Sequence, residues 1–203
     1  MAEQAILGRA NRYRRGSSVT VGALAAFSAL LIGVTAIGAG WQAGNSLVKV
    51  DEPRLVVLKS KHVVHLFDGE NLVRTYPIDL GFAPLGQKFR EGDGKTPLGR
   101  FRIATKNSES PYHRFLGLDY PNEEVVAQGL QVGLVTRGEA ARIRGALAAG
   151  RCPDWSTALG GGIGIHGHRR ARDWTAGCVA VADEHIEELF AVMRIGDPVE
   201  ILP

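Results

Sequence analysis

The sequence predicts an α+β protein, mostly β with a few helices, that follows one N-terminal apolar segment. Short apolar runs separated by turn residues predict antiparallel strands across residues 55–78. Capping signals at Asn122 and Thr136 predict helices in the second half of the chain. Residues 16–48, which carry no charge, stand apart from both patterns. The 203 residues have room for one sizeable domain in addition to that segment.

The N-terminal region combines positive charge with a long apolar stretch. Four arginines precede Ser17, against one acidic residue: Arg9, Arg12, Arg14 and Arg15. The apolar core at 19–43 is longer than the ~20 residues that cross a hydrocarbon layer. We therefore expect a cytoplasmic basic N-terminus (1–16), a transmembrane anchor or signal peptide (17–43), a linker (44–53) and a folded domain (54–203). With the arginines inside, that domain lies outside the cytoplasm.

Two alternatives to an uncleaved anchor remain for this segment. A signal peptide has a shorter apolar region, usually ~7–15 residues, but the small residues at 38–40 offer a cleavage site. A buried core helix is the other alternative, and the lack of interrupting polar residues disfavours it. Beyond the terminal arginines, acidic and basic residues are equal in number. The folded domain therefore lacks the excess of positive charge that a nucleic-acid partner requires.

The first part of the folded domain predicts strands joined by tight turns. The β-rich runs at 55–58, 62–67 and 72–78 are typical of an antiparallel meander, and Asp68-Gly69 is a hairpin-turn signal. A Gly/Pro-punctuated loop at 92–103 then leads into another strand.

Polar and helical signals follow this region. We predict a polar loop at 107–111, followed by an aromatic-bearing segment at 112–120. Asn122 is expected to cap one helix, and Thr136 with Glu139 a second helix that stops at Gly150. Asp183 opens a last helix, and a closing strand follows at 198–202. That helix has one apolar face, formed by Ile186, Leu189, Phe190 and Met193.

Residues 163–181 contain the residues best suited to chemistry. His166 ends one short apolar run and Cys178 begins another, with Gly167 and Gly177 beside them. A strand, a turn and a second strand would place the imidazole beside the thiol. A free thiol is only a few per cent ionised at neutral pH, so an imidazole that takes its proton creates a strong nucleophile. Gly177 lets backbone amides converge on a developing oxyanion. The pair therefore predicts cysteine-based acyl transfer.

Three other hypotheses compete for these side chains. Cys152 and Cys178 are an even pair in an exported chain, so they could form a disulfide. His166, His168 and Cys178 offer zinc ligands, with Asp173 as the nearest fourth. A non-enzymatic binding module is the third.

Four blocks of the sequence resemble the YkuD-type L,D-transpeptidase catalytic domain family. Residues 165–167 followed by 175–179 resemble its active-site signature, and 92–103 resembles its Gly-Lys-Thr-Pro-x-Gly-x-Phe segment. Tyr112 and residues 116–122 resemble a further block. The resemblance implies that 54–203 is an L,D-transpeptidase-type β-sandwich catalytic domain that needs no metal or cofactor.

In that family, the cysteine attacks the carbonyl of the L-centre to D-centre bond of a peptidoglycan stem tetrapeptide. The resemblance assigns this role to Cys178, the base and acid to His166, and the positioning carbonyl to Gly167. D-Alanine leaves, and an amine of a second stem or a lipoprotein resolves the acyl-enzyme. The amides of Ala176, Gly177 and Cys178 are the implied oxyanion hole. The residues assigned to substrate binding are Tyr112, Arg172, Asp173 and Trp174.

The chain departs from the family pattern at two positions around the cysteine. Ala176 replaces a second histidine, and Ala180 replaces a frequent arginine, for which Arg169, Arg170 and Arg172 are possible substitutes. A hydrolase of the same fold, in which water resolves the thioester, is the alternative activity. The expected location is the bacterial cell envelope. The domain would lie in the periplasm, tethered to the inner membrane or secreted if the signal is cleaved.

Overall fold

The computed structural model describes residues 49–203, and the predictions for residues 1–48, including the membrane segment, lie outside them. Within 49–203, no helix is both long and apolar enough to cross a bilayer. The strands are β1 (Pro53–Leu58), β2 (Val63–Asp68), β3 (Asn71–Pro77), β4 (Gly99–Ser110), β5 (His113–Leu118), β6 (Gly164–His166), β7 (Val179–Ala180) and β8 (Pro198–Leu202). The helices are α1 (Glu123–Gln131), α2 (Arg137–Ala148) and α3 (Asp183–Val192), and Lys59–Lys61 forms a 3-10 turn. The predicted α+β class is confirmed.

The eight strands of residues 49–203 form one sheet in the order β3-β2-β1-β8-β4-β5-β6-β7. The antiparallel meander predicted for β1, β2 and β3 is confirmed. Strand β8 pairs parallel with β1 and antiparallel with β4. It therefore joins strands β1–β3 to strands β4–β7 in one sheet. Residues 99–102 of β4 pair with β8, whereas β4 from Ile103 onward pairs with β5. The expected sandwich thus takes the form of one continuous, curled sheet.

The polar loop predicted at 107–111 is wrong for most of its length. Residues up to Ser110 belong to β4, where Asn107 pairs with Phe115 and Ser110 with His113. Polar side chains can occupy this strand because it forms the exposed end of the β4–β5 hairpin, where the ladder satisfies the backbone. The hairpin turns at residues 111–112, before His113, which has a φ of 74°.

The helix caps predicted from the sequence are confirmed. The Asn122 side chain accepts a hydrogen bond from the amide of Val125 at 3.1 Å. Thr136 and Glu139 form a full capping box, in which the Thr136 amide donates to the Glu139 carboxylate at 2.7 Å. Gly150 follows α2 with a φ of 62°. These caps satisfy amides that the helix itself cannot bond, so each helix begins where its cap stands.

The core ties the short strands β6 and β7 into the rest of the domain. Ile165 on β6 and Val179 on β7 are fully buried in one cluster that includes side chains from both halves of the sheet. Helix α3 packs against β5 and β6 through Ile186 and Leu189, which are also fully buried. The residues at the ends of β6 and β7 are therefore held on a rigid support.

Candidate active site

Strands β6 and β7 bring the predicted histidine and cysteine to one face of the sheet. The strands pair in parallel, with Ile165 opposite Val179 and His166 opposite Ala180. Continued by one residue, this register places Cys178 opposite Gly164. Opposite residues of parallel strands point to the same face, and so do residues two apart on one strand. The side chains of Cys178 and His166 therefore share a face, separated diagonally by Gly164, which has no side chain.

The backbone of β7 is fixed on its other edge as well. The amide of Asp79 donates to the carbonyl of Ala180 at 2.8 Å, and the amide of Ala180 donates to the carbonyl of Asp79 at 2.9 Å. The Asp79 carboxylate is buried and meets the guanidinium of Arg169 at 3.2 Å. Strand β7 therefore lies between two bonded neighbours, which limits movement of the cysteine before it.

The tautomer of His166 follows from its hydrogen bond. Its Nδ1 lies 2.7 Å from the carbonyl oxygen of Gly167, and only 2% of the residue is exposed. A carbonyl can only accept, so Nδ1 carries the hydrogen and Nε2 of the neutral ring carries the free lone pair. Burial lowers the pKa of His166 below its ordinary 6.5, a shift that the Gly167 carbonyl partly opposes. The ring is therefore a neutral base at pH 7.

Two aromatic side chains enclose the imidazole. The ring of Tyr112 stacks on His166 with centroids 4.7 Å apart, and Trp174 meets it edge-on at 5.8 Å. The guanidinium of Arg170 lies 3.9 Å above the Trp174 ring. The Tyr112 carbonyl accepts the amide of Gly167 at 3.0 Å, which ties the β4–β5 hairpin to the end of β6. This apolar enclosure is the source of the burial that lowers the imidazole pKa.

Gly167 occupies a position that admits no side chain. A Cβ there would lie 2.5 Å from Asp183 Oδ1 and 3.0 Å from the Tyr112 carbonyl. That Asp183 oxygen already accepts the amide of His168 at 2.7 Å, so it cannot withdraw without losing a bond.

We expect Gly167→Ala to destabilise the domain by about 1–3 kcal/mol because of this overpacking. Urea unfolding measures the change. Gly145→Ala is the matched control: the exposed glycine of α2 has nothing within 4 Å of its Cβ position, and alanine should stabilise the helix by up to about 1 kcal/mol. Equal unfolding midpoints for Gly167→Ala and the wild type would contradict the geometry.

Cys178 holds a neutral thiol in the resting site. Its Sγ donates to the carbonyl of Gly162 at 3.3 Å. Burial raises the pKa of the thiol to about 11, although the Gly164 amide and the Lys88 ammonium partly offset that rise. At neutral pH, the thiol and the imidazole are therefore both neutral. A nucleophilic thiolate at this position would form only as a base takes the thiol proton.

The turn before Cys178 is organised by Thr175. The Gly177 amide donates to Thr175 Oγ1 at 3.1 Å, and that hydroxyl donates to the Cys178 carbonyl at 2.7 Å. Gly177 has a φ of 142°, and a Cβ there would lie 2.7 Å from the Lys95 carbonyl, so only glycine fits. The Gly177 amide already has an acceptor. Of the three amides predicted to form an oxyanion hole, those of Ala176 and Cys178 are therefore the two that remain as predicted donors.

The four predicted substrate-binding residues lie in different surroundings. Tyr112 and Trp174 flank the imidazole, and Tyr112 is 42% exposed. Arg172 is exposed on the loop between β6 and β7. The Asp173 carboxylate instead accepts the Leu80 amide at 2.8 Å and meets His62 Nε2 at 3.1 Å. Asp173 thus fixes the loop to the body of the domain, and both oxygens of its carboxylate are engaged in contacts within the protein.

A groove of about 660 Å³ lies along the β4–β5 hairpin. Its wall does not include His166 or Cys178, but it includes Tyr112, which stacks on His166, and Gly162, whose carbonyl accepts the thiol. The polar end of the hairpin forms one side, and Phe115 and Trp155 contribute aromatic surface. The groove therefore offers an extended ligand both polar and apolar contacts.

Sequence reasoning missed two residues that hold the cysteine. Thr175 lies in the segment 175–179 that resembles the family signature but has no predicted role, and Gly162 lies outside the segments singled out in the sequence. A hydroxyl residue two positions before Gly177 is the one local signal for the Thr175 contact. Nothing local marks the Gly162 carbonyl as the acceptor of the thiol, since the contact depends on the pairing of β6 with β7.

Two competing hypotheses can now be compared with the geometry. The disulfide hypothesis is wrong for this structure, because Cys152 and Cys178 are both free. For the zinc hypothesis, the part of the chain from 49 to 203 contains no group of three or more His, Cys, Asp or Glu side chains placed to hold a metal ion.

Comparison with known proteins identifies relatives of the domain. The sequence model of the YkuD family, the L,D-transpeptidase catalytic domain, matches residues 52–201. No curated protein matches the chain. Similar solved structures include the helical cell shape determining protein Pgp2 from Campylobacter jejuni (21% identity, TM-score 0.50, 75% of this chain and 49% of that one). Bd1075 from Bdellovibrio bacteriovorus is also similar (20% identity, TM-score 0.50, 75% of this chain and 48% of that one). An L,D-transpeptidase from Xylanimonas cellulosilytica is similar as well (15% identity, TM-score 0.45, 76% of this chain and 62% of that one). The chain thus spans less than two thirds of each of these structures.

Proposed function

The chain belongs to the L,D-transpeptidase catalytic domain family, and we propose that it catalyses cysteine-dependent acyl transfer on peptidoglycan stem peptides. One observation carries the proposal. The Nδ1–H of His166 is bound to the Gly167 carbonyl, which leaves Nε2 as a base on the sheet face that Cys178 shares. A base oriented by a second group beside a nucleophile is the arrangement that acyl transfer requires.

The first half-reaction forms a thioester. Cys178 Sγ attacks the carbonyl carbon of the L-centre to D-centre bond while His166 Nε2 takes the thiol proton. The carbonyl oxygen becomes an oxyanion, for which the amides of Ala176 and Cys178 are the proposed donors. The C–N bond then breaks, the imidazolium gives its proton to the leaving amine of D-alanine, and the acyl group stays on sulfur.

The second half-reaction releases the enzyme. The acceptor is a second stem or a lipoprotein. Its amine attacks the thioester carbon while His166 takes a proton from the amine nitrogen. The C–S bond breaks, the sulfur recovers its proton from the imidazolium, and a new amide bond remains in the product. Water in place of the amine would give a hydrolase. The groove of about 660 Å³, whose wall includes the Tyr112 that stacks on His166 and the Gly162 that accepts the thiol, supports binding of an extended peptide.

The proposed location follows from the substrate. Stem peptides lie outside the cytoplasmic membrane, and residues 17–43, with the arginines before them, are proposed to hold the domain on that side. The protein would then act in the periplasm on the wall next to the inner membrane, or away from it if the segment is cleaved.

Product masses test the proposed function directly. The full-length chain is incubated with purified disaccharide-tetrapeptide and the products are read by mass spectrometry. Cross-linked dimer or exchange of the terminal D-alanine, absent with Cys178→Ala, is the expected result. A tripeptide as the sole product would assign the hydrolase. Peptide binding that is unchanged in Cys178→Ser, without any product, would replace the proposal with a non-catalytic binding module.

A further inference from the structure

A carboxylate on helix α3 holds the two residues that follow Tyr112, and the mechanism above does not use it. Oε1 of Glu187 lies 2.7 Å from Nε2 of His113. The Nε of Arg114 donates to both oxygens of the same carboxylate at 3.0 Å. The hydrogen bond from Arg114 lowers the pKa of Glu187 below its ordinary value. The carboxylate is therefore ionised at neutral pH and bridges the two side chains.

The backbone at His113 has a conformation that needs such support. Its φ of 74° lies in the left-handed region, which residues with a Cβ adopt at a cost. The amide of Arg114 donates to the carbonyl of Tyr112 at 3.0 Å, across His113. A hydrogen bond of this span around a positive φ is typical of the rarer, strained form of γ-turn. Such a turn persists where its surroundings fix it, and Glu187 fixes two of its three residues.

Tyr112, the first residue of this turn, reaches the imidazole in two ways. Its carbonyl accepts the amide of Gly167 at 3.0 Å, and the carbonyl of Gly167 in turn binds Nδ1 of His166 at 2.7 Å. Its ring stacks on His166, with the two ring planes 28° apart. Tyr112 is 42% exposed, whereas His166 is 2% exposed. The tyrosine therefore covers the imidazole against solvent.

We propose that Glu187 is a positioning residue of the acyl-transfer site, which holds the turn at His113 and Arg114 and thereby keeps Tyr112 on His166. The inference rests on the proposed function, because that function makes the covered imidazole the base. A base is effective when neighbouring groups hold it in one orientation. The side chains of the Arg114–Glu187 pair are partly exposed, so the pair should add little to global stability. Its loss should therefore change the site more than the fold.

The test follows the titration of His166 by NMR without any substrate. The full-length chain, labelled with carbon-13 at histidine Cε1, is titrated in mild detergent, and His166→Ala assigns the signal. In the wild type, burial lowers the pKa of His166 below 6.5. In Glu187→Ala, the turn should relax and Tyr112 should leave the ring. Water then reaches the imidazole, and its titration midpoint should rise toward 6.5.

The direction of the shift separates a displaced tyrosine from a lost charge. Removing the Glu187 carboxylate leaves Arg114 without its partner, so the surroundings of the imidazole become more positive. Positive charge disfavours the imidazolium and would lower the midpoint. A rise therefore reports that the imidazole of His166 has been uncovered.

Two further variants identify the route of the effect. Tyr112→Ala removes the cover directly and should give the larger rise, and adding Glu187→Ala to it should give no further rise, because Glu187 acts through Tyr112. Glu184→Ala removes an exposed carboxylate from the first turn of the same helix and should leave the midpoint of His166 at the wild-type value.

An unchanged or lower midpoint in Glu187→Ala, an equal rise in Glu184→Ala, or a further rise in the double variant overturns the inference. Helix α3 should stay folded, because Ile186 and Leu189 anchor it in the core, and the melting temperature checks this. If Glu187→Ala does not fold, Glu187→Gln decides. It keeps the size of the side chain and loses the charge that strengthens both contacts, so a smaller rise is expected and an unchanged midpoint contradicts the inference.

Acylation by a carbapenem-type agent, measured on the same preparations, reports on the proposed function separately. If His166 is the base, Glu187→Ala should react more slowly at pH 6 than the wild type, because more of its imidazole is protonated there. A wild type that is not acylated, together with the expected NMR shifts, would refute the function and leave the positioning of His166 by Glu187 intact.

Discussion

Cys178→Ala is expected to abolish acylation of the protein by a carbapenem-type agent and to reduce stem-peptide turnover at least about a thousandfold. The thioester cannot form without the sulfur. The fold should survive, because alanine keeps the Cβ and the substitution removes only polar contacts of the sulfur, among them the 3.3 Å bond from Sγ to the Gly162 carbonyl. Intact-protein mass after incubation with the agent measures acylation.

Cys152→Ala is the matched control for this experiment. Burial raises the pKa of the Cys152 thiol, and the negative charge of Asp119 raises it further, so this thiol is a weak nucleophile with no imidazole described beside it. The variant should be acylated as fast as the wild type. A mass increase that occurs in Cys178→Ala and is absent in Cys152→Ala would show that Cys152, and not Cys178, is the nucleophile.

The parts of the fold that were predicted correctly are those that local chemistry decides. Asn122 and the Thr136–Glu139 pair satisfy helix amides within three residues, so the sequence contains the whole interaction. The Asp68-Gly69 turn likewise determines the β2–β3 hairpin, where Gly69 takes a φ of 56°. Two short apolar runs also predicted that β6 and β7 are neighbours, but the strands pair in parallel, which a simple turn between them cannot produce.

The parts that were missed depend on contacts between distant residues. The polar end of β4 has no apolar alternation, so its strand form is visible only through its partners in β5. Asp173 is among the residues that the family resemblance assigns to substrate binding. Its carboxylate instead accepts the Leu80 amide, 93 residues away. The local sequence around Asp173 contains no signal for this contact, because it depends on how the fold brings two distant segments together.

Lys88 illustrates the same limit in the loop between β3 and β4. It stands in a loop rich in glycine and charge, which in sequence is typical of an exposed turn, yet it is one of the most buried charged residues of the described domain. Its burial is possible because Asp93 and the Arg90 carbonyl together satisfy the ammonium. The site therefore rests on two levels: a histidine and a cysteine that the sequence identifies, and a support of buried polar groups that it does not.

His166→Ala is expected to lower the rate of acylation by about 10²–10⁴-fold, the usual contribution of a positioned general base. The loss should be in the chemical steps, because His166 acts by transferring protons during acyl transfer. His168→Ala is the control, since this exposed histidine lies two residues away and meets Asp183 at 3.8 Å. Single-turnover acylation by the carbapenem-type agent measures both variants.

The pH dependence of acylation tests the same assignment in a second way. His166 works as a base only when neutral, and burial lowers its pKa below 6.5. The wild-type rate should therefore fall as the pH drops through that lowered pKa, with its acid limb centred below 6.5. In His166→Ala this limb disappears, and the residual rate should rise steadily with pH toward the thiol pKa of about 11. A limb centred above 6.5 in the wild type, or one that persists in the variant, would mean that another group takes the proton from Cys178.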